Sequence, residues 1–252
     1  MIVTTNHGPV RELRLNRPPA NALSPALIPA LKDAIEAAPS NGARALVLSG
    51  TPGMFSAGLD VPLLLTLDRP AIAQVWRDFY GLMRALARSS IPVAAAINGH
   101  GPAGGTVLAL FCDWRVMAEG DWKMGFNEVQ VGIPLPPVIL SALRRQVGAR
   151  QAERLGTGGL VISAVEAARI GVVDELVPLE KVVDRAVDWC HGLLKLPERA
   201  MATTRQRARA DLSAIFQDID REIDDVVSAW WTDEAQRVLG ALAAKLTKKP
   251  PD

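Results

Sequence analysis

Two short glycine-containing stretches of this sequence could each present main-chain N–H groups to a ligand. Residues 99–104 read GHGPAG, a G-x-G-x-x-G pattern between an apolar, strand-like run and a helix-like one. Residues 55–60 read FSAGLD and follow the apolar run RALVLS. Because glycine lets other atoms approach the backbone closely, two such turns could direct two N–H groups at one acceptor. Two donors aimed at one oxygen form an oxyanion hole, which stabilises an enolate.

The G-x-G-x-x-G stretch also fits a different ligand, the pyrophosphate of a dinucleotide. Glu119 follows Gly99 by about 20 residues, where a dinucleotide-binding fold carries an acid for the ribose. However, the pattern lies in mid-chain rather than at the start of a βαβ unit, and the helix that it opens is short. We therefore favour the oxyanion interpretation, regard Glu119 as solvated, and expect no binding of NAD.

The elements that must position these turns mix strands and helices. Helical spacing of apolar residues after Ser24 and after Asp68 predicts helices there. The predicted strands are 10–15, 44–49, 91–97, 113–118 and 172–177. From residue 179 onward the pattern is helical, with no clear strand between 200 and 248. We expect an α/β core over residues 1–195 and a C-terminal helical region over 196–252 that serves packing or oligomerisation.

The composition argues against several classes of partner. The 252 residues include 28 basic and 27 acidic side chains, which gives no bulk reason to expect nucleic acid or a membrane surface as a partner. Cys112 and Cys190 lie in apolar runs without metal-ligand spacing, so we expect reduced, buried thiols and no metal site. The sequence shows no signal-peptide pattern and no apolar run long enough to span a membrane. We expect a cytoplasmic protein.

Several motifs occur together in an order that is informative. FSAGLD, NGHGPAGG and FNEVQVGIP follow one another, with LNRPPANALS near the start and ARIGVVDELVP later. In this order and spacing they resemble the crotonase family, that is, the enoyl-CoA hydratase/isomerase superfamily. The resemblance covers roughly residues 1–195, whereas the last fifty residues resemble the family less well.

The resemblance implies a fold, a substrate class and an assembly. The implied fold is a spiral of β-β-α units followed by a C-terminal helical region, and the implied assembly is a homotrimer or a dimer of trimers. The substrate would be an acyl-CoA thioester, with no cofactor beyond the coenzyme A of that substrate. The N–H groups of Leu59 and Gly104 would form the oxyanion hole. The backbone of the first turn would line the thioester and pantetheine end of the substrate, at Ser56, Ala57, Gly58 and Asp60.

The acidic residues distinguish the reactions of this family. Its hydratases resemble one another in using two glutamates, one three residues after the second oxyanion glycine and one in the downstream Asn-Glu motif. Here the first position holds Val107 and the second holds Glu128. Residues three apart share a helix face, so we expect Val107 to face the acyl pocket beside the Gly104 N–H. Glu128 alone could move a proton from C2 to C4 of a 3-enoyl thioester.

This pattern resembles the Δ3,Δ2-enoyl-CoA isomerases of the mitochondrial type, and isomerisation is our leading hypothesis. A hydratase in which another group replaces the missing acid is the main alternative, followed by other acyl-CoA chemistry such as thioester hydrolysis or dienoyl shifts. A catalytically inactive acyl-CoA-binding protein is an alternative from another class.

Some conspicuous residues have a structural explanation instead. We interpret His100 as a packing residue, Asp60 also as a helix cap, and Asp113 with Arg115 as an ion pair. Trp230 and Trp231 are expected to pack at a subunit or domain contact rather than to bind a ligand.

Overall fold

The computed structural model describes residues 1–247, and these form strands and helices that alternate through most of the chain. The strands are β1 (Ile2–His7), β2 (Val10–Leu15), β3 (Ala45–Ser49), β4 (Gly53–Met54), β5 (Val93–Ile97), β6 (Gly99–Pro102), β7 (Trp114–Ala118), β8 (Lys123–Gly125), β9 (Val161–Ser163) and β10 (Glu175–Val177). The helices are α1 (Leu27–Ala37), α2 (Val61–Leu64), α3 (Arg69–Arg88), α4 (Gly104–Leu110), α5 (Pro137–Gly158), α6 (Ala164–Arg169), α7 (Val182–Leu194), α8 (Glu198–Ala208), α9 (Ala210–Ala214), α10 (Ile219–Trp230) and α11 (Asp233–Thr247). Short 3₁₀ turns lie at Val129–Val131 and Leu179–Lys181.

The strands form two sheets. The larger sheet has the order β1-β2-β3-β5-β7-β10, in which only the β1–β2 pair is antiparallel. The smaller sheet has the order β4-β6-β8-β9, with the first two pairs parallel and the last antiparallel. Neighbouring parallel strands are joined by crossovers, as parallel pairing requires.

Successive turns of the chain repeat one unit. Each of the pairs β3–β4, β5–β6 and β7–β8 places one strand in the larger sheet and the next in the smaller one, and each pair leads to a helix. This repetition is the spiral of β-β-α units expected from the sequence. Because the strands are parallel, the loops that follow β4, β6 and β8 lie along one edge of the smaller sheet.

The core fills both faces of the larger sheet. On one face Val47, Ala94 and Ala96 of the central strands pack against α7 through Ala186 and Cys190. On the other face the larger aliphatic residues of the same strands pack with α1 and α3. The central strands β3 and β5 are buried at every residue, as is typical of a parallel sheet covered on both sides.

The C-terminal helices pack onto this same core. Leu212, Ile223, Trp230 and Leu239 belong to the core cluster that includes α1 and α3. The helix α10 lies against α3, and α11 lies against α2 and the 3₁₀ turn at Val129–Val131. The boundary after residue 195 stays a prediction, and residues 248–252 of the predicted helical region lie outside the described residues.

An ion-pair cluster fastens these helices to the spiral. Asp113 pairs with Arg205 at 2.8 Å and with Arg209 at 3.1 Å, while Arg115 pairs with Asp174 at 2.9 Å. The expected Asp113–Arg115 pair was therefore wrong. The Arg115 guanidinium also donates to the carbonyls of Ala109 and Cys112 at the C-terminal end of α4. A cation is favourable there because the helix dipole places partial negative charge at that end.

The described residues hold neither a candidate membrane span nor a candidate metal site. Within residues 1–247 no helix is both long and apolar enough to cross a membrane. In the same part of the chain no group of three His, Cys, Asp or Glu side chains is placed to hold a metal ion.

Candidate active site

The two glycine turns meet at the edge of the smaller sheet. Gly58 adopts a φ of +85°, which L side chains rarely adopt, and Gly104 is the first residue of α4. A Cβ on Gly58 would lie 2.7 Å from the Gly104 nitrogen, and a Cβ on Gly105 would lie 2.3 Å from the Ser56 carbonyl oxygen. Only glycine permits this approach, so the glycines bring the two turns into direct contact.

The two predicted donors are available. Within the described residues, neither the Leu59 N–H nor the Gly104 N–H donates a hydrogen bond to the protein. The Gly104 group is one of the first N–H groups of a helix, which have no acceptor within the helix. The neighbouring amides are engaged, since Gly58 N–H donates to Ser56 Oγ and Asp60 N–H donates to the Leu23 carbonyl.

Asn21 stabilises the first turn through hydrogen bonds, a role that the sequence did not predict. It is fully buried with a φ of +47°, and its Nδ2 donates to the carbonyls of Met54, at 2.8 Å, and Phe55, at 3.2 Å. Its own carbonyl accepts from Ser56 Oγ at 2.9 Å. The Ser56 side chain is thus buried and used internally, and it does not line the cavity described below. The expectation that the Ser56 backbone lines the substrate stays a prediction.

Thr106 holds the second turn in a comparable way. Its hydroxyl donates to the Gly101 carbonyl at 2.6 Å and accepts from the Gly125 N–H at 2.7 Å, while Ala103 N–H donates to the Gly125 carbonyl at 2.8 Å. Ala103 itself has a φ of +50°, which turns the backbone into α4. The second turn is therefore tied to β8, the strand that leads to Glu128.

Glu128 is the acid of this site. It follows β8 by three residues, and its Oε2 is buried with no hydrogen-bond partner among the described residues. Burial raises the pKa of Glu128 to about 7 from its ordinary value of 4.5, and the main-chain N–H groups of Glu128 and Asn127 only partly oppose this. A carboxyl group with that pKa can both accept and return a proton near neutral pH.

A cavity of about 650 Å³ joins these features. Its wall includes Leu59 and Gly104 of the two turns together with Glu128. Its exposed wall residues, Pro18, Pro19 and Leu246, mark its open side, and the wall side chains that are almost fully buried mark its closed end. The latter are Trp76, Phe79, Ile133, Ile139, Trp230 and Leu239.

The charged groups on the wall are few. Among the described residues they are Arg17, Asp60 and Glu128. Asp60 is engaged twice, because its carboxylate pairs with Arg17 at 2.6 Å and caps α2 by accepting from Leu63 N–H at 3.3 Å. Glu128 is thus the wall carboxyl group that has no cationic partner.

Val107 and Trp230 relate to the cavity in ways that the sequence did not show, although Trp230 also packs α10 onto the core, as expected of a domain contact. Val107 is fully buried in the core and is not among the residues that line the cavity, so it lies behind the wall rather than in it. Trp230, expected to pack at a contact, lines the closed end of the cavity. The sequence held a weak signal for this role, a large aromatic residue in an amphipathic helix.

Other residues lie as expected. Ala57 lines the cavity with Leu59, and Asp60 caps α2. The ring of His100 packs edge-on to that of Trp122, with 5.1 Å between the ring centroids. Its Nδ1 accepts from Lys123 N–H at 3.1 Å, so His100 is a packing residue. The side chain of Glu119 is exposed.

A hydrogen-bonded clamp joins three helices around the closed end. Tyr80 of α3 donates its hydroxyl to Glu222 Oε2 of α10 at 3.0 Å, and Val138 N–H of α5 donates to the same oxygen at 3.2 Å. Burial raises the pKa of Tyr80, and the neighbouring Glu222 carboxylate acts in the same direction. These three helices also supply Trp76, Ile139 and Trp230 to the wall.

Comparison with known proteins identifies the group to which the fold and site belong. Residues 5–245 match the family described as enoyl-CoA hydratase/isomerase. The chain belongs to this family.

Individual members of the family are similar to the chain at moderate identity. The human mitochondrial enoyl-CoA delta isomerase 1 is 31% identical over 95% of this chain and 81% of its own length. A probable enoyl-CoA hydratase of Mycobacterium avium, echA17, is 34% identical over 81% of this chain and 78% of its own length. The crystal structure of human mitochondrial Δ3-Δ2-enoyl-CoA isomerase superposes with a TM-score of 0.92 at 30% identity, covering 97% of each chain.

These similarities settle the fold and the class of protein. The fold is the crotonase fold, and the family acts on acyl-CoA thioesters as hydratase or isomerase. Both kinds of enzyme are found among the relatives, so family membership alone does not choose between the two reactions.

Proposed function

We propose that this protein isomerises 3-enoyl-CoA to 2-trans-enoyl-CoA. The observation that supports the proposal is the solitary carboxyl group of Glu128 on a wall that also carries the free N–H groups of Leu59 and Gly104. Moving a double bond by one carbon needs one group that takes a proton and returns it, together with donors that stabilise the charge in between.

The steps follow from these groups. The thioester oxygen accepts hydrogen bonds from the Leu59 and Gly104 N–H groups, which lowers the energy of the dienolate. Glu128 takes a proton from C2, the C2–H electron pair forms a C1–C2 double bond, and the carbonyl π electrons move onto the thioester oxygen, which gives the dienolate. The same carboxyl group then returns the proton at C4: the C3–C4 π electrons form the C4–H bond, the C1–C2 π electrons move into the C2–C3 bond, and the electron pair on oxygen restores the carbonyl, so no atom is gained or lost. A pKa of about 7 for Glu128 suits both transfers.

The absence of a second free acid on the described wall favours isomerisation over hydration. Hydration adds water across C2 and C3, and a pair of carboxylates orients and deprotonates that water. Asp60 is held by Arg17 and by the α2 cap, and Val107 lies behind the wall. Neither is placed to replace the second acid.

Hydration remains the second candidate because Asn127 lies on the wall beside Glu128 and could orient a water molecule. Assaying purified protein with 3-enoyl-CoA and with 2-trans-enoyl-CoA tests both. We expect rapid isomerisation and slow hydration. Equal rates of hydration and isomerisation would contradict the proposed reaction.

Three further properties belong to the proposal. We expect a homotrimer or a dimer of trimers, activity that needs no cofactor beyond the substrate's coenzyme A, and a cytoplasmic location. Sedimentation velocity tests the assembly, activity after dialysis against a chelator tests the cofactor, and cell fractionation tests the location.

A further inference from the structure

A short backbone segment, residues 17–23, holds the first turn on both sides of Leu59. Leu23 N–H donates to the Gly58 carbonyl at 2.8 Å, and the Leu23 carbonyl accepts from Asp60 N–H at 3.2 Å. The Leu59 N–H has no acceptor among the described residues, whereas every other N–H group from residue 56 to residue 61 donates to the protein. The residues on either side of Leu59 therefore set the direction of its free N–H group.

An ion pair ties the same segment to the residue that follows Leu59. Arg17 Nη2 lies 2.6 Å from Asp60 Oδ2, and Arg17 Nη1 donates to the Ala22 carbonyl at 3.2 Å. The main-chain N–H of Arg17 donates to Asn21 Oδ1 at 2.9 Å, so Arg17 also belongs to the hydrogen-bond network of the buried Asn21. The two side chains are 32% and 13% exposed, and a partly buried pair is screened by salt less than a surface pair.

The charge of Asp60 gives this pair a second effect. Arg17 and Asp60 line the same cavity as Leu59, and Arg17 is the cationic side chain on the described wall. The intermediate of the proposed reaction carries negative charge on the thioester oxygen. A carboxylate on this wall without its cation would oppose that charge, because like charges repel strongly where water is largely excluded.

We propose that Arg17 is a positioning residue for the oxyanion hole, which fixes the turn and neutralises Asp60 so that the Leu59 N–H can stabilise the thioester oxygen. Arg17 acts through Asp60 and not through contact with the substrate. This inference deepens the proposed function and rests on its assignment of the Leu59 N–H as an oxyanion donor. Because the pair acts on the charged intermediate, its loss should lower kcat more than it weakens binding of the uncharged ground state.

The carbonyl stretch of a bound thioester reports the oxyanion hole directly. A saturated acyl-CoA, isotope-labelled at its carbonyl carbon, cannot isomerise, and difference infrared spectroscopy compares its C=O frequency when free and when bound. Hydrogen bonds from two N–H groups polarise the carbonyl and lower this frequency. In Arg17→Met, which removes the cation and keeps an aliphatic side chain, we expect about half of the downshift because one of the two donors is misdirected. An unchanged downshift would overturn the proposal.

Steady-state kinetics distinguish positioning from substrate binding. Arg17→Met should lower kcat for 3-enoyl-CoA by about 10–100-fold, the size expected when a reacting group is displaced by a fraction of an ångström. Its Kd for the saturated acyl-CoA should change little. A weaker Kd with an unchanged kcat would show that Arg17 binds coenzyme A directly and would contradict the proposal.

A double-mutant cycle tests whether Arg17 acts through Asp60. Asp60→Asn removes the charge but keeps an oxygen at Oδ1, the atom that caps α2 by accepting from Leu63 N–H. The Arg17→Met/Asp60→Asn double variant should regain part of the kcat that Arg17→Met loses alone, because no carboxylate then stays unpaired. Losses in kcat that simply multiply would show that the two side chains act independently and would refute this coupling.

Two further variants complete the test. Arg17→Lys keeps the positive charge and should retain most of the carbonyl downshift. Glu175→Gln is the matched control, since it breaks the Glu175–Arg185 pair, which joins its partners at 2.8 Å outside the cavity wall. It should keep the downshift and kcat of the unaltered protein. If Arg17→Met does not fold, Asp60→Asn carries the infrared measurement, again with a reduced downshift expected.

The infrared and kinetic results separate this inference from the proposed reaction. A downshift that is reduced in Arg17→Met, in a protein that does not isomerise 3-enoyl-CoA, would support the inference and sink the proposed reaction alone. A downshift and kcat that are unchanged in Arg17→Met would contradict the role of Arg17 and leave the proposed reaction intact. A bound carbonyl with no downshift in the unaltered protein would remove the oxyanion hole and this inference with it.

Discussion

Gly58 and Gly104 touch through their backbones, with the Gly104 nitrogen 2.7 Å from the position that a Cβ on Gly58 would occupy. The contact joins two turns that are far apart in the chain. It places the free N–H groups of residues 59 and 104 on one cavity wall. The proposed oxyanion hole therefore depends on the absence of a side chain at Gly58.

Replacing Gly58 by alanine should damage this contact. The added methyl group forces the turns apart, and losing one oxyanion donor typically lowers kcat by about 10²–10³-fold. We expect a loss of this size in isomerisation of 3-enoyl-CoA, measured by steady-state kinetics.

Gly42→Ala is a matched control for the backbone strain. Gly42 has a φ of +86°, close to the +85° of Gly58, but nothing lies within 4 Å of its added Cβ. Both variants should lose about 1–2 kcal/mol of stability from the left-handed conformation, and Gly58→Ala should lose more because its methyl group also clashes with Gly104 and Ala103. Only Gly58→Ala should lose activity, and equal activities of the two variants would contradict the role of the Gly58–Gly104 contact.

Replacing Glu128 by glutamine should abolish isomerisation while preserving acyl-CoA binding. The amide keeps the shape of the side chain but cannot take a proton from C2, so we expect kcat to fall by about 10²–10⁴-fold. The Kd for a saturated acyl-CoA should change little. Glu119→Gln is the control because Glu119 is exposed, and it should keep full activity.

The pH dependence of the reaction should report the Glu128 carboxyl group. Its pKa is raised to about 7, so the base form is lost as the pH falls through 7. We expect kcat/KM to decrease about tenfold for each pH unit below 7. A profile that stays flat down to pH 5 would exclude Glu128 as the base.

The same carboxyl group should make stability depend on pH. Between its ordinary pKa of 4.5 and its folded-state pKa of about 7, the folded protein holds a proton that the unfolded chain has lost. The free energy of unfolding therefore falls as the pH rises through this window, by about 3 kcal/mol in total.

Glu128→Gln removes this contribution. Its stability relative to the unaltered protein should increase from pH 4.5 to pH 7 and then stay level. Urea unfolding at a series of pH values measures the difference. A constant difference across the window would show that folding does not raise the pKa of the Glu128 carboxyl group.

Replacing Asp113 by asparagine should loosen the C-terminal helices. The carboxylate of Asp113 pairs with Arg205 and Arg209, all three side chains being at most 12% exposed. Removing one partner of a buried pair costs about 3–5 kcal/mol because the remaining charges stay unpaired. Urea unfolding should show this loss, whereas Arg150→Gln, which breaks an exposed pair with Glu153, should show almost none.

The sequence predicted the parts of the site that depend on residue type. Gly58, Gly104 and Glu128 were singled out because few other residue types allow such a close backbone approach or supply a carboxyl group. The structure places Gly104 and Glu128 on one cavity wall and Gly58 against Gly104, while their roles stay predictions. The long apolar strands and the helix after Asp68 were also predicted, and the structure adds that Asp68 caps this helix by accepting from Ala71 N–H at 2.9 Å. The short strands β4, β6, β8 and β9 were not, because two to four residues give no measurable alternation.

The errors arose where the answer depended on tertiary packing. Val107 was assigned to the pocket from its three-residue spacing to Gly104, but every residue of α4 is buried. A helix without a solvent face does not show which side meets a cavity. Trp230 lies on an amphipathic helix, and amphipathicity predicts a buried face without saying what it covers. Asp113 and Arg115 found partners far along the chain, at Arg205 and Asp174.

The wall of the cavity has two independent sources. The spiral supplies the turns and Glu128, whereas α10 and α11 supply Trp230 and Leu239 at the closed end. The chain after Glu128 packs closely on α11, because a Cβ on Gly132 would lie 3.0 Å from the Ala235 Cα, an unusually tight contact. Substitutions on the cavity-facing sides of α10 and α11 can therefore reshape the closed end of the cavity without changing the two turns or Glu128.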